Sequence, residues 1–271
     1  MDALLPWLPG SSEVDWCESN YSISSLVAEF YNTVSNALFF VLPPVLIYLF
    51  RQYARQVSWG INVVWALLLV VGVGSVYFHA TLSLVGQLLD EIAIIWVFMA
   101  ALALWFPRRY MPLVFQQNRN RFKVMVGFCT ALTSGLACVM PAINCVALFV
   151  LAVPATTLMI IELRRCTDPR VVNLGLRCCL MWVIALASWI SDNLFCDTWS
   201  RLGMPYLHCV WHIFVALASY QAVVLFAYFD AIAEVPEMLP MMKFWPHDKF
   251  WMGIPYVTFK CVGPKPTLKM Y

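Results

Sequence analysis

Charged residues are scarce in this sequence of 271 residues, and their scarcity excludes an ordinary soluble protein. Asp, Glu, Lys and Arg together make up 12% of the chain, whereas soluble domains carry roughly 25%. Hydrophobic residues make up 62%, and the mean hydropathy is +0.76. The composition therefore predicts an integral membrane protein that contacts membrane lipids. Nothing in it indicates a nucleic-acid partner or an obligate protein partner.

Other patterns are also missing. No segment shows the alternation typical of a strand, and only helices or closed barrels span a bilayer. Residues 1–32 contain no Lys or Arg and lack the basic and apolar regions of a secretory signal peptide. We therefore expect the N-terminus to cross the membrane uncleaved. The ten cysteines are too scattered for a zinc-finger motif.

Seven apolar segments are each close to the roughly 20 helical residues that cross a bilayer. They cover residues 33–50, 62–82, 87–106, 123–141, 143–162, 173–195 and 206–229. The predicted fold class is an all-α membrane protein, a seven-transmembrane helix bundle at 33–229. An acidic N-terminal segment (1–32) precedes it, and a tail (230–271) follows that we expect to be irregular from Glu234 onward.

The basic residues predict the orientation of the bundle. All but one of the 17 Lys and Arg residues fall on one side of these seven spans, and only Arg201 falls on the other. Because basic residues concentrate on the cytosolic side of membrane proteins, we expect a cytosolic C-terminus and a lumenal N-terminus.

Three of the four histidines fall at one predicted depth. His208 and His212 are four apart, so on a helix they share one face, about 6 Å from each other. His79 lies near the lumenal end of the second span, and Asp90 near the lumenal start of the third. Ionisable groups inside membrane spans are rare and tend to mark function. We therefore predict a metal site here, in preference to histidines that only pack between helices.

Three imidazoles leave one position of a tetrahedral zinc ion open, which is the catalytic pattern. Such a zinc ion lowers the pKa of a bound water to about 7, and a nearby carboxylate can take its proton. Asp90 and Glu91 point about 100° apart on a helix, so only one faces the site, and spacing does not choose between them. Ser75 can stabilise an oxyanion or simply bond a carbonyl one turn back.

The N-terminal segment is rich in oxygen donors. Asp15, Glu18, Asn20 and Glu29 could surround a calcium ion, or they could form a solvated acidic cap. Asn20 also begins the sequon Asn20-Tyr21-Ser22, and a glycan on Asn20 would exclude it as an ion ligand. Spacing alone leaves these readings open.

The partner of Cys17 and the role of Asp192, both on the predicted lumenal side, each have two interpretations. Cys17 could form a disulfide with Cys196 or with Cys209, because the secretory lumen is oxidising. Asp192 could support the metal site, although an interhelical hydrogen bond is the simpler interpretation.

These residues resemble a known signature. Ser75-x3-His79, then Asp90, then His208-x3-His212 is similar to the motif of the CREST superfamily of membrane hydrolases. Four stretches resemble the alkaline ceramidase family within it: SSEVDWCESNYSISSLVAEFYNT at 11–33, GQLLDE at 86–91, WFPRRY at 105–110 and YLHCVWH at 206–212. WFPRRY and FAYFDA at 226–231 are most similar to the Golgi-type members.

The resemblance implies a zinc amidase of the Golgi or endoplasmic reticulum that cleaves ceramide from the bilayer into sphingosine and a fatty acid. It implies zinc ligation by His79, His208 and His212, with Asp90 and Ser75 serving the reaction. It also implies a Cys17–Cys196 disulfide. The implied calcium ligands are Asp15, the Trp16 carbonyl, Glu18, Asn20 and Glu29.

Two other classes use similar residues. A receptor of the same superfamily would bind a lipid or hormone and retain only residual hydrolysis. A zinc or proton transporter also needs intramembrane His and Asp, but transporters place their sites near the midplane between repeats. Here the residues gather at one end, and no internal repeat is visible.

Overall fold

The computed structural model describes residues 2–260 and confirms the seven-helix bundle. Seven helical segments in this part of the chain are long and apolar enough to cross a membrane. They are Phe30–Leu49, Gly60–Thr81, Leu84–Trp105, Arg119–Val139, Ala142–Leu163, Pro169–Leu194 and Leu207–Glu234. Residues 261–271 of the predicted tail, with Lys265 and Lys269, lie outside the described residues.

The helices and strands of the described chain are numbered in order. They are α1 (Phe30–Ser35), α2 (Leu38–Leu49), α3 (Arg51–Gln56), α4 (Gly60–Thr81), α5 (Leu84–Trp105), α6 (Arg119–Val139), α7 (Ala142–Leu163), α8 (Pro169–Leu194), α9 (Cys196–Arg201), α10 (Leu207–Glu234), β1 (Pro240–Trp245) and β2 (Ile254–Phe259). Four short 3-10 helices accompany them, at Asp2–Trp7, Arg108–Tyr110, Leu113–Phe115 and Pro236–Met238.

The first span is two helices, because α1 and α2 are separated by Asn36 and Ala37. The Asn36 side chain donates a hydrogen bond to the carbonyl of Asn32 (2.9 Å). Asparagine side chains that bond nearby backbone groups compete with regular helix, which accounts for the interruption at this residue. The break lies beside His212, whose Nδ1 atom is close to Ser35 and Asn36.

A short turn joins α4 to α5 and sets how these helices meet. Leu82 adopts a left-handed conformation (φ 50°), and the Ser83 side chain accepts a hydrogen bond from the backbone N–H of Gly86, capping α5. A side chain at Gly74 would lie 2.9 Å from the backbone nitrogen of Asp90. Glycine therefore allows the two backbones to approach closely, and this approach places Asp90 beside α4.

The last span, α10, is central to the bundle. It packs along α8 and also contacts α1, α2, α5, α7 and both strands. Small buried residues, among them Ala185 of α8 and Ala218 of α10, line these contacts. Helix packing in membranes favours such residues because they let helices approach closely.

The tail after Glu234 is not irregular, which corrects the prediction from sequence. Strands β1 and β2 pair antiparallel, with Pro240 opposite Phe259 and Trp245 opposite Ile254. Met242, Phe244, Val257 and Phe259 are buried in the main hydrophobic core. The alternation was obscured because Pro240 and Pro255 lie within these short strands, and proline normally argues against a strand. The hairpin packs against α10 and α3.

Candidate metal centre

Three histidines from two helices meet in the bundle, as their predicted depth required. The ring centroids of His79 and His208 are 5.0 Å apart, those of His79 and His212 4.7 Å, and those of His208 and His212 4.5 Å. One nitrogen from each ring lies within 4.8 Å of the other two. All three side chains are buried. The cluster therefore has the composition and spacing of a site that could hold one metal ion.

His79 is oriented by the N-terminal segment. Its Nδ1 contacts a carboxylate oxygen of Glu29, and both side chains are completely buried. The Nε2 atom of His79 is buried with no hydrogen-bond partner among the described residues. A carboxylate on one imidazole nitrogen fixes the tautomer that leaves the other nitrogen as a metal ligand. Sequence reasoning had assigned Glu29 to a separate ion site and missed this contact.

His212 is oriented by the first span, just before its interruption. The hydroxyl of Ser35 lies 2.7 Å from Nδ1 of His212, and the amide nitrogen of Asn36 lies 3.5 Å from the same atom. The Nε2 atom of His212 is thereby left as the nitrogen for a metal ion. No sequence signal pointed to Ser35, because its partner is 177 residues away.

His208 is held against the N-terminal segment by stacking. Its ring and the indole of Trp16 are nearly parallel, with centroids 3.7 Å apart and planes 17° apart. Its Nδ1 has no hydrogen-bond partner within the described chain. A buried, unpartnered nitrogen is costly, so two such nitrogens in one cluster, on His79 and His208, fit a metal ligand set.

The adjacent side chains of Asp90 and Glu91 point in different directions. The side chain of Asp90 lies near the hydroxyl of Ser75, and Ser75 Oγ has no hydrogen-bond partner among the described residues. Ser75 is one turn from His79 on α4. Glu91 instead accepts hydrogen bonds from Gln87 (3.0 Å) and from Asn144 of α7 (2.7 Å). Asp90 is thus the acid of the pair that is directed towards the face of α4 carrying His79.

Oxygen donors of the N-terminal segment lie next to the histidines. The amide nitrogen of Asn20 is 3.1 Å from both carboxylate oxygens of Asp15. Glu29 also accepts hydrogen bonds from the backbone N–H of Trp16 (3.0 Å) and from Asn32 (3.1 Å). Burial raises the pKa of Glu29 to about 8. Glu29 thus joins the N-terminal segment to the histidines.

Glu18 has a role that its spacing did not reveal. Its two carboxylate oxygens accept hydrogen bonds from the backbone N–H groups of Tyr31 (2.7 Å) and Asn32 (2.8 Å). These groups begin α1, and an anion at a helix N-terminus is favourable. Burial raises the pKa of Glu18 nevertheless. Glu18 thus connects the N-terminal segment to the start of the first span.

The N-terminal segment is fastened to the end of α8. A disulfide joins Cys17 to Cys196, with Cα atoms 5.3 Å apart, while Cys209 is free and lies against Asn32. Asp192 accepts hydrogen bonds from the backbone N–H of Cys17 (3.1 Å) and of His208 (3.2 Å). The interpretation of Asp192 as a structural hydrogen-bonding residue therefore agrees with its contacts, which lock Cys17 and His208 together.

Comparisons with known proteins identify the family of this chain. The family model described as Ceramidase matches residues 8–258. The chain is 49% identical to alkaline ceramidase of Drosophila melanogaster, over 94% of this chain and 90% of that protein. It is 40% identical to alkaline ceramidase 1 of Homo sapiens, over 92% of this chain and 95% of that protein. It is 36% identical to alkaline ceramidase of Caenorhabditis elegans, over 83% and 84%. The chain belongs to the alkaline ceramidase family.

Proposed function

We propose that this protein is a zinc-dependent hydrolase that cleaves the amide bond of ceramide, releasing sphingosine and a free fatty acid. The observation that carries the proposal is the triad of His79, His208 and His212, whose ring nitrogens lie within 4.8 Å of one another. Its relatives are named alkaline ceramidases. A buried set of three neutral nitrogens is typical of catalytic zinc.

His79, His208 and His212 would hold the zinc ion. When bound there, zinc would lower the pKa of a coordinated water and polarise the amide carbonyl of the substrate. Glu29 orients the ring of His79 and Ser35 orients the ring of His212, in each case through a contact with Nδ1 of the histidine. These contacts keep the ligand nitrogens in place before substrate arrives, which is how outer residues commonly tune a metal site.

Asp90 and Ser75 would serve the reacting groups. Asp90 takes a proton from the attacking water and returns it to the nitrogen of the leaving sphingosine amine, so that water is divided between the two products. The Ser75 hydroxyl, which has no hydrogen-bond partner in the described chain, donates to the carbonyl oxygen as charge develops on it.

The N-terminal segment would hold a calcium ion that adjusts activity without contacting substrate. Its ligands would be the side chains of Asp15, Glu18, Asn20 and Glu29 with the Trp16 carbonyl. Oxygen ligands of this kind suit calcium. Glu29 and Trp16 contact zinc ligands directly, so an ion here would stabilise the orientation of His79 and His208. A glycan on Asn20 in active protein would contradict this assignment.

We further propose that the metal centre lies at the lumenal end of the bundle in the Golgi or endoplasmic reticulum. The charge asymmetry of the loops supports this orientation, and the Cys17–Cys196 disulfide suits the oxidising lumen. Ceramide would enter the site laterally from the bilayer.

The direct test measures zinc content and fatty-acid release from ceramide on the same detergent-purified samples. Wild type should contain about one zinc ion and turn over ceramide, and His212→Ala should lose both. His247→Ala is the matched control, because His247 is exposed and lies in the hairpin. It should resemble wild type.

Other outcomes would favour other classes. Zinc bound without turnover, across several ceramides and with calcium present, would contradict the hydrolase and favour a receptor. Zinc uptake into sealed proteoliposomes would favour a transporter.

A further inference from the structure

A cavity whose lining includes four charged residues lies at the end of the bundle opposite the histidines. It has a volume of about 280 Å³ and lies between the start of α8 and the β-hairpin. Arg177 lines the cavity and donates a hydrogen bond to Gln221 of α10. Gln221 follows His212 by nine residues, so the two lie about 14 Å apart along the helix axis. Nothing in the proposed reaction uses this cavity.

One wall of the cavity is a single face of α8. Arg170, Asn173, Leu174 and Arg177 all line it, and their spacing of three, four and seven residues places them on the same side of a helix. The other wall comes from the hairpin, through Phe244, Asp248, Lys249 and Trp251. Two arginines one above the other thus face a turn that carries a lysine.

The guanidinium group of Arg177 has one nitrogen without a hydrogen-bond partner and no carboxylate that balances its charge among the described residues. Its Nε donates to Gln221 (2.9 Å) and its Nη1 to the carbonyl of Trp251 (3.0 Å). Its Nη2 is buried and has no hydrogen-bond partner among residues 2–260, and no carboxylate of this part of the chain forms an ion pair with it. Such a cation within a membrane-spanning helix is costly unless an anion meets it.

The cavity carries an excess of positive charge. Arg170 is paired with Asp248 (2.9 Å), which is the only carboxylate among the lining residues. Lys249 and Arg177 have no carboxylate partner in the described chain. One acid therefore faces three cations, which leaves two positive charges for a ligand.

The hairpin turn carries exposed apolar side chains beside the cavity. Phe250 is 51% exposed, Trp251 65% and Met252 54%. Tryptophan and other amphipathic rings concentrate where a bilayer meets water. The turn therefore places the cavity at the depth of lipid headgroups.

We propose that this cavity binds the phosphate of an anionic phospholipid from the adjacent leaflet. Arginine guanidinium groups match phosphate oxygens with paired hydrogen bonds, and Arg177 has a free donor for them. Basic pockets between membrane helices on the cytosolic side bind anionic headgroups. The acyl chains would lie along the lipid-facing surface of α8, and the bound lipid would join α8 to the hairpin.

The test uses full-length protein in nonionic detergent and measures the midpoint of thermal unfolding as lipid is added. Micelles contain phosphatidylglycerol or phosphatidylcholine, and a third series contains inorganic phosphate without lipid. Phosphatidylglycerol should raise the midpoint of wild type in a saturable way, because a ligand that binds only the folded state stabilises it. The titration gives an apparent affinity for each variant.

Three variants test whether phosphatidylglycerol stabilises the protein by binding in this cavity. Asn173→Asp puts a carboxylate between Arg170 and Arg177, which should weaken the apparent affinity about tenfold or more. This exposed residue makes no side-chain hydrogen bond within the described chain, so the variant should fold normally in phosphatidylcholine. Arg177→Gln should weaken binding similarly. Arg121→Gln, an exposed cation on α6 outside the cavity, should bind as wild type does.

Each contrary result overturns the proposal. Wild-type affinity in Asn173→Asp would show that lipid binds elsewhere. Equal stabilisation by phosphatidylcholine, or none by phosphatidylglycerol, would exclude recognition of an anionic lipid. Equal stabilisation by inorganic phosphate alone would assign the cavity to a soluble phosphate.

Discussion

The carboxylate of Glu29 contacts Nδ1 of His79, 50 residues later in the chain. Glu29 immediately precedes the first helix, and His79 belongs to the last turn of α4. One side chain thus belongs both to the oxygen cluster of the N-terminal segment and to the surroundings of the histidine triad. Any ion that binds Glu29 would therefore act on the orientation of a histidine of the triad.

The first prediction concerns that contact. Glu29→Gln keeps the shape of the side chain but cannot ionise, so it should weaken zinc binding and turnover about 10- to 100-fold, the usual effect of removing a residue that supports a metal ligand. Zinc affinity and ceramide hydrolysis measured on the same preparation check it. Glu13→Gln, an exposed acid of the same segment, is the control, and an equal loss there would contradict the specific role of Glu29.

The second prediction separates the adjacent acids. Asp90→Asn should lower turnover by about 10²- to 10⁴-fold, the range expected for a lost general base, while zinc content stays near wild type. Glu91→Gln should retain most of its activity, because Glu91 bonds Gln87 and Asn144 instead. Steady-state kinetics with zinc analysis distinguish these effects. Near-normal turnover in zinc-loaded Asp90→Asn would rule out the acid–base role.

The third prediction tests the support of His212. Ser35→Ala removes the hydroxyl 2.7 Å from Nδ1, so the ring loses its fixed tautomer and zinc affinity should fall by at least about tenfold. Ser35→Thr keeps a hydroxyl and should restore most of the affinity. Competition with a chelator gives the zinc affinity of each variant. If alanine and threonine behave alike, the hydroxyl does not orient the ring.

The fourth prediction concerns the covalent link between the N-terminal segment and α8. Replacing both Cys17 and Cys196 by serine removes a cross-link that spans 179 residues, and should lower the free energy of unfolding by about 2–4 kcal/mol. Thermal unfolding of the purified protein checks this. Cys138→Ser, which changes an exposed free thiol, should leave stability unchanged. An unaltered midpoint in the double variant would show that the other contacts of the segment suffice.

The sequence predicted the position of the triad because consecutive spans run in opposite directions, so the place of a residue within its span indicates its depth in the membrane. His79 ends one span while His208 begins another, so both had to lie near one end of the bundle. The same reasoning could not find Ser35 or the Glu29–His79 contact, since these pairings depend on how α1 meets the other helices. Nor could it orient Asp90 against Glu91, because that choice depends on the rotation of α5 about its axis.

The tail shows a different limit of sequence reasoning. Met242 and Phe244 alternate with exposed or half-buried neighbours, which is the pattern of a strand, but prolines at 240, 246 and 255 favour irregular structure. The pairing of β1 with β2 prevails because it buries Met242 and Val257 in the main core. Burial in a tertiary contact therefore decided the structure against the local preference of the prolines.

The disulfide and the hydrogen bonds of Asp192 also impose an order on assembly. Residues 12–29 are synthesised first, yet their partners His79, Asp192 and Cys196 come later, the last of them 179 residues after Cys17. A nascent chain that stops before α9 lacks Cys196 and cannot close the disulfide, and one that stops before α10 lacks two of the three histidines. The disulfide and the histidine triad therefore cannot both be complete until the last span, α10, has been synthesised.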